Sequence, residues 1–126
     1  MDDEKRQAQQ KIVLVIDDEA PVREAVADVM EMIGVQVLAA ENGRVALTLY
    51  QEYMADIELV LLDLSMPGLS GLETLGKLRQ LNPQAKVIIS SGYSAQDTVP
   101  AVDEITVFLQ KPYDVNNLIK FVSNFL

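Results

Sequence analysis

The chain has 126 residues, 49% of them hydrophobic, enough for one domain to bury a single core without disulfides or metals as staples. Nineteen acidic against 10 basic residues give a formal net charge of −9, which argues against a nucleic-acid groove or an anionic membrane surface and allows basic partners and divalent cations. With neither cysteine nor histidine, the chain has no disulfide framework, thiolate zinc site, Ser-His-Asp triad, His general base or His-ligated metal of its own.

Residues 1–10 (MDDEKRQAQQ) are polar and acidic without apolar periodicity, and are expected to form a flexible tail or linker remnant. A signal peptide would be basic, then apolar. No apolar run approaches the length of a membrane span. A cytoplasmic domain over residues 11–126 is the expectation.

Lys11 to Ile16 (KIVLVI) is a β-branched run of strand length, suited to a strand buried on both faces, and it ends abruptly at Asp17-Asp18-Glu19. A helix follows, with Pro21 in its first turn and Val22, Val26, Val29, Met30 and Ile33 on one face; Gly34 stops it. Val35 to Ala40 reads as a second strand. Asn42 is a candidate N-cap for a helix whose inner face carries Ala46, Leu49, Tyr50 and Tyr53. Glu58 to Leu62 is the third strand and leads into Asp63. Ser70-Gly71 opens a third helix with Leu72, Leu75 and Leu78 inward, ended by Asn82-Pro83. Ala85 to Ser90 is the fourth strand and runs into Ser91-Gly92-Tyr93. Between residues 94 and 104 the pattern asks for a helix, but Pro100 interrupts it, and a short irregular element is expected. Ile105 to Leu109 is the fifth strand, ending at Gln110-Lys111-Pro112. A last helix follows, lined by Val115, Leu118, Ile119, Val122 and Phe125. Five strand–helix alternations with short connections predict an α/β fold with a doubly wound, five-stranded parallel sheet.

In such a sheet all C-terminal strand ends share one rim, where open α/β sheets bind their ligands. That rim would carry Asp17 and Asp18, Asp63, Ser91 and Lys111. Asp is a poor strand residue, and burying its charge without a partner is costly, so Asp63 closing an apolar strand needs a reason. Three carboxylates on one rim would repel and raise one another's pKa values, and they coexist easily only around a cation. Oxygen-only ligation suits Mg²⁺. With Mg²⁺ in place, Asp63 could attack a phosphoryl group as a nucleophile, and Lys111 could neutralise charge on the transferring oxygens. Ser91 could then hydrogen-bond a phosphoryl oxygen, with Asp17 and Asp18 holding the metal. Each residue also has a plainer reading. Asp63 could cap the turn that follows it, Asp17-Asp18 could sit at a solvated helix N-terminus, and Ser91-Gly92 and Lys111-Pro112 could be ordinary turn and surface pairs. The conjunction in this order is what favours chemistry.

That conjunction resembles the receiver domain of bacterial two-component response regulators. The matching stretches are VIDDE (15–19), LVLLDLSMPGLSG (59–71), VIISSGYS (87–94) and FLQKP (108–112), and the likeness covers Lys11 to Leu126. The resemblance implies a (βα)5 flavodoxin-like receiver fold with strand order 2-1-3-4-5. It implies Asp63 as phosphoacceptor and Asp17 and Asp18 as the acidic pair, with Mg²⁺ held by Asp18, Asp63 and the backbone carbonyl of Ser65. Ser91 then corresponds to the switch hydroxyl, Lys111 to the family's lysine and Phe108 to its switch aromatic. Ser65 and Tyr93 take the positions that tune the lifetime of the phosphoryl group, and Lys111-Pro112 is a candidate cis peptide. The implied phosphodonor is a sensor histidine kinase or histidine phosphotransfer protein. Phosphorylation would change the surface around the fourth and fifth strands and the intervening helix, altering the binding of an output partner or a phosphorylation-dependent dimer. The acidic charge balance argues against direct contact with nucleic acid or membrane, and the resemblance implies no enzymatic turnover beyond self-catalysed phosphoryl transfer and autodephosphorylation. No output domain follows Leu126, so the chain reads either as a stand-alone receiver or as a domain of a longer protein; SGYS and FLQKP resemble receivers fused to hybrid histidine kinases, which favours an origin in such a kinase or a multidomain regulator.

Three rivals share parts of this pattern. A Mg-dependent phosphatase with an Asp nucleophile would want a second Asp at position 65, where Ser65 stands. A flavodoxin-like flavin binder would need a phosphate loop after the first strand, where three acids stand. A receiver-like interaction module that is never phosphorylated would not need the acid pair, Asp63, Ser91 and Lys111 kept together.

Overall fold

The computed structural model describes residues 11–65, 71–92 and 103–126. In chain order the elements are β1 (Ile12–Ile16), α1 (Ala20–Met32), β2 (Gln36–Ala40), α2 (Gly43–Tyr53), β3 (Ile57–Asp63), α3 (Gly71–Leu81), β4 (Val87–Ser91), β5 (Thr106–Gln110) and α4 (Val115–Phe125). The strands form one parallel sheet in the order β2-β1-β3-β4-β5, the doubly wound topology expected from the alternation. Among the described residues, no helix is long and apolar enough to cross a membrane.

β1 and β4 are buried at every position, because helices cover both faces of the sheet. On one face α1 and α4 pack Val26, Val29, Met30, Leu118 and Val122 against Val13, Val15, Leu59, Leu61 and Ile88. On the other, α2 and α3 pack Ala46, Tyr50, Leu75 and Leu78 against Leu14, Ile16, Val60, Leu62 and Ile89. The pleat thus divides each strand between two cores.

The punctuation is local and chemical. Asn42 caps α2 by accepting the Val45 N–H at 2.9 Å, as expected. Gly34 adopts φ +77 after α1, where the Gly34 N–H donates to Glu31 O and the Val35 N–H to Met30 O, a paired C-terminal closure that a glycine favours. Asp114 caps α4 through the Asn117 N–H at 2.7 Å.

Three inward assignments are corrected. Leu72 is 44% exposed, because α3 turns Gly71, Thr74, Leu75 and Leu78 to the sheet, and Leu72 lies off that stripe. Val115 and Tyr53, the first residue of α4 and the last of α2, are 49% and 37% exposed. Strand boundaries move by one or two residues: Asp63 and Ser91 are the last residues of β3 and β4 themselves, and β5 begins at Thr106. The expected tail over 1–10, Tyr93, and residues 94–102 of the expected irregular element lie outside the described residues. Asp103 and Glu104, the end of that element, form a turn into β5. There Asp103 bridges Thr106, and its carboxylate accepts the Ile105 N–H at 2.9 Å.

Candidate functional site

The C-terminal ends of β1, β3 and β5 bring Asp17, Asp18, Asp63 and Lys111 together. One carboxylate oxygen from each of the three aspartates lies within 4.8 Å of the others. Lys111 Nζ donates to Asp17 Oδ2 at 2.7 Å and stands 3.6 Å from Asp63 Oδ2. Asp17 and Asp63 are each 3% exposed, whereas Asp18 is exposed. The Lys111-Pro112 peptide bond is cis, as the resemblance implies.

The turns after the strands hold the other carboxylate oxygens. Asp63 Oδ1 accepts the Ser65 N–H at 3.0 Å, and Asp17 Oδ1 accepts the Glu19 N–H at 2.9 Å. Each buried aspartate therefore caps its own turn with one oxygen and faces Lys111 with the other. The plainer reading of Asp63 as a turn cap describes the first oxygen only.

Burial pushes the Asp63 carboxyl above the ordinary carboxylate range. The Ser65 N–H and Lys111 pull the other way, and the charges of Asp17 and Asp18 add to the upward push. Burial, more than mutual repulsion, is thus the main strain on this site. Lys111 shows the reverse balance: burial alone would lower its pKa, but the Asp17 bond and the charges of Asp17 and Asp63 hold it above the usual lysine value.

Ser91 and Phe108 occupy the neighbouring strands. Ser90 pairs with Asp63 across β3 and β4, so Ser91 stands one residue further along the same rim. Ser91 is buried, pairs with Gln110 of β5, and its carbonyl accepts the Lys111 N–H at 2.9 Å. Phe108 pairs with Ile89 and packs, half-buried, on the core beneath α2 and α3. Strand alternation gives Ser91 and Phe108 the same sheet face.

Two contributors carried no obvious sequence signal. The Ser65 N–H, rather than its side chain, holds Asp63. Gly71 lies so close to β3 that an added Cβ would stand 2.5 Å from Leu64 Cα and 2.8 Å from Asp63 O. A glycine four residues after Pro67 in the sequence hints at such an approach, but not at what it approaches.

Three oxygen donors with one buried, upward-shifted carboxylate fit a small hard dication, whose charge would relieve both burial and repulsion. An apolar groove of about 520 Å³ opens beside the site, floored by Val22, Val26, Val29 and Leu118, with Glu19 and Lys111 in its lining.

A doubly wound parallel sheet with an acid pair, a strand-terminal aspartate and a lysine on one rim is the arrangement that the sequence resemblance implies. Residues 13–123 match the response regulator receiver domain, and the chain belongs to that family. It is 31% identical over 119 residues to the chemotaxis protein CheY of Bacillus subtilis, an alignment spanning 90% of this chain and 96% of that protein. The response regulator TrrA from Thermotoga maritima, solved in complex with Mg(2+)-BeF, superposes with a TM-score of 0.78 at 30% identity, covering 93% of this chain and 100% of that one. The receiver domain of the hybrid histidine kinase CckA gives a TM-score of 0.79 at 32% identity, covering 91% and 98%.

Proposed function

We propose that this receiver domain is a phosphorylation-dependent switch in which Asp63 accepts a phosphoryl group from a phosphohistidine of a sensor histidine kinase or phosphotransfer protein. The observation that carries the proposal is the convergence on Asp63: a nearly fully buried carboxylate with Lys111 at 3.6 Å and the Asp17 and Asp18 carboxylates within 4.8 Å. An Asp63 oxygen forms the new O–P bond as the P–N bond to the donor imidazole breaks, and the bonding electron pair leaves with that nitrogen. Asp18, Asp63 and the Ser65 carbonyl would hold Mg²⁺ directly, with Asp17 beside them; the ion, when bound, supplies charge neutralisation for the phosphoryl oxygens. Lys111 adds a second positive charge on the same side, and the Ser65 N–H keeps Asp63 oriented. The groove beside Lys111 is an apolar surface suited to a helix of the donor.

The response runs from Ser91 to Phe108. A phosphoryl group on Asp63 brings negative charge and acceptor oxygens to the rim. Ser91 moves toward them, and Phe108, on the same sheet face, turns into the space released. The surface around β4, β5 and the segment between them changes, and with it affinity for an output partner or a second copy. Ser65 and Tyr93 set how readily water reaches the phosphoryl group. On this reading the domain is a cytoplasmic signalling element that turns over no external substrate.

Intact mass after incubation with acetyl phosphate tests the proposal. One added phosphoryl group is expected, present with Mg²⁺, absent without it and absent in Asp63→Asn. A folded wild type that binds Mg²⁺, yet neither gains phosphate nor binds beryllofluoride, would favour an unphosphorylated interaction module instead.

A further inference from the structure

Arg23 touches the acidic cluster from behind. It sits in the first turn of α1 and reaches back across the β1–α1 turn, where its Nη1 donates to Asp17 O at 2.8 Å. Every polar group of Asp17 is thereby committed: its N–H to Ala40 O at 3.1 Å, Oδ1 to the Glu19 N–H, Oδ2 to Lys111 and its carbonyl to Arg23. That carbonyl and the Asp18 N–H belong to one planar peptide unit. Fixing its oxygen fixes the plane from which Asp18 hangs. Asp18 is the exposed member of the carboxylate trio, so burial does less to place it than its backbone does.

We propose that Arg23 is a positioning residue for divalent-cation binding: by holding the Asp17–Asp18 peptide, it keeps the Asp18 carboxylate within 4.8 Å of those of Asp17 and Asp63. The proposal rests on reading that trio as the magnesium site. It makes a prediction of definite sign. As a charge alone, a guanidinium near the trio repels a cation, and its removal should tighten binding. As a positioning group, its removal loosens the peptide and weakens binding, as loss of other groups that orient metal ligands does.

The test is isothermal titration of the whole chain with MgCl₂ at fixed ionic strength, with the metal-free melting temperature of each variant measured alongside. Arg23→Met keeps an apolar stem and removes both charge and bond; Arg23→Lys keeps the charge and one donor but loses the planar fork. Arg23→Met is expected to bind Mg²⁺ about 10-fold more weakly, and Arg23→Lys to fall between it and wild type. Should Arg23→Met not fold, Arg23→Gln takes its place. Equal or tighter binding by the uncharged variant would overturn this proposal alone. A wild type that does not bind Mg²⁺ would overturn the reading of the trio itself, and this proposal with it.

Discussion

Replacing Asp63 by Asn should stabilise the metal-free protein while removing its chemistry. Asn presents the same carbonyl-type oxygen to the Ser65 N–H, so the turn is kept. What changes is charge. Taking an effective dielectric constant of about 20, the Lys111 contact at 3.6 Å amounts to about 5 kcal/mol of attraction. Repulsion from each of Asp17 and Asp18, within 4.8 Å, amounts to about 3 kcal/mol on the same footing. Asp18 is exposed, and water screens its share. Attraction and repulsion therefore nearly cancel, leaving the burial of an ionised carboxylate as the deciding cost. Because the turn bond offsets part of that cost, a net gain on the order of 1–2 kcal/mol is expected for the variant. For a chain of this length that is a rise of about 5 °C in melting temperature.

The pH dependence has a definite direction. Burial raises the folded-state pKa of Asp63 above its unfolded value, so the folded state holds the proton more tightly. Above the folded pKa the ionised group costs stability; below the unfolded pKa that cost is gone. The advantage of Asp63→Asn should be full above the raised pKa and shrink as pH falls through it. Magnesium should reverse the ranking. At a concentration 100 times its dissociation constant, a ligand adds about 2.7 kcal/mol to the wild type, and the variant, short of one anionic oxygen, should gain far less. Thermal melts with EDTA and with Mg²⁺ at several pH values decide the matter. An Asn variant that melts below wild type at neutral pH without metal, with an unchanged Mg²⁺ shift, would refute the reasoning.

Lys111→Met leaves Asp17 Oδ2 buried without its cation and should cost about 2–3 kcal/mol in urea unfolding. It should also leave any phosphorylated form without the conformational response, read as an unchanged Phe108 environment by NMR. Gly71→Ala forces a Cβ against Leu64 Cα and Asp63 O, where backbone must shift; a loss of about 1–3 kcal/mol is expected, with slower labelling by acetyl phosphate. Arg79→Met is the contrasting case. Its guanidinium donates to Ala85 O, Ile105 O and Thr106 Oγ1, tying α3 to the entrances of β4 and β5 at the opposite edge of the sheet. Loss of about 2 kcal/mol is expected, with Mg²⁺ affinity unaltered; an affinity change on titration would show that the two ends of the sheet are coupled.

The residues legible in the sequence were those whose type contradicts their surroundings. Asp63 at the end of IELVLLD, Asp17 after IVLVI and Lys111 after TVFLQ interrupt runs that otherwise read as buried strand, and the parallel order sends all three to one rim. Helix faces were less legible where hydrophobicity and spacing disagree: Leu72 is apolar but Gly71 and Thr74 hold the inward positions. Least legible were the bonds made by backbone. The Ser65 N–H on Asp63 and the Glu19 N–H on Asp17 depend on turn geometry, and almost any residue type supplies an N–H; the Arg23 guanidinium finds a backbone carbonyl, which no side-chain pattern marks. Those same turn bonds make the turn-cap reading and the proposed reactive carboxylate compatible. The turn occupies Oδ1 of Asp63 and of Asp17, and by doing so it aims Oδ2 of each at Lys111. Local capping is therefore what orients the two carboxylates, and weakening a turn should move the site before it unfolds the protein.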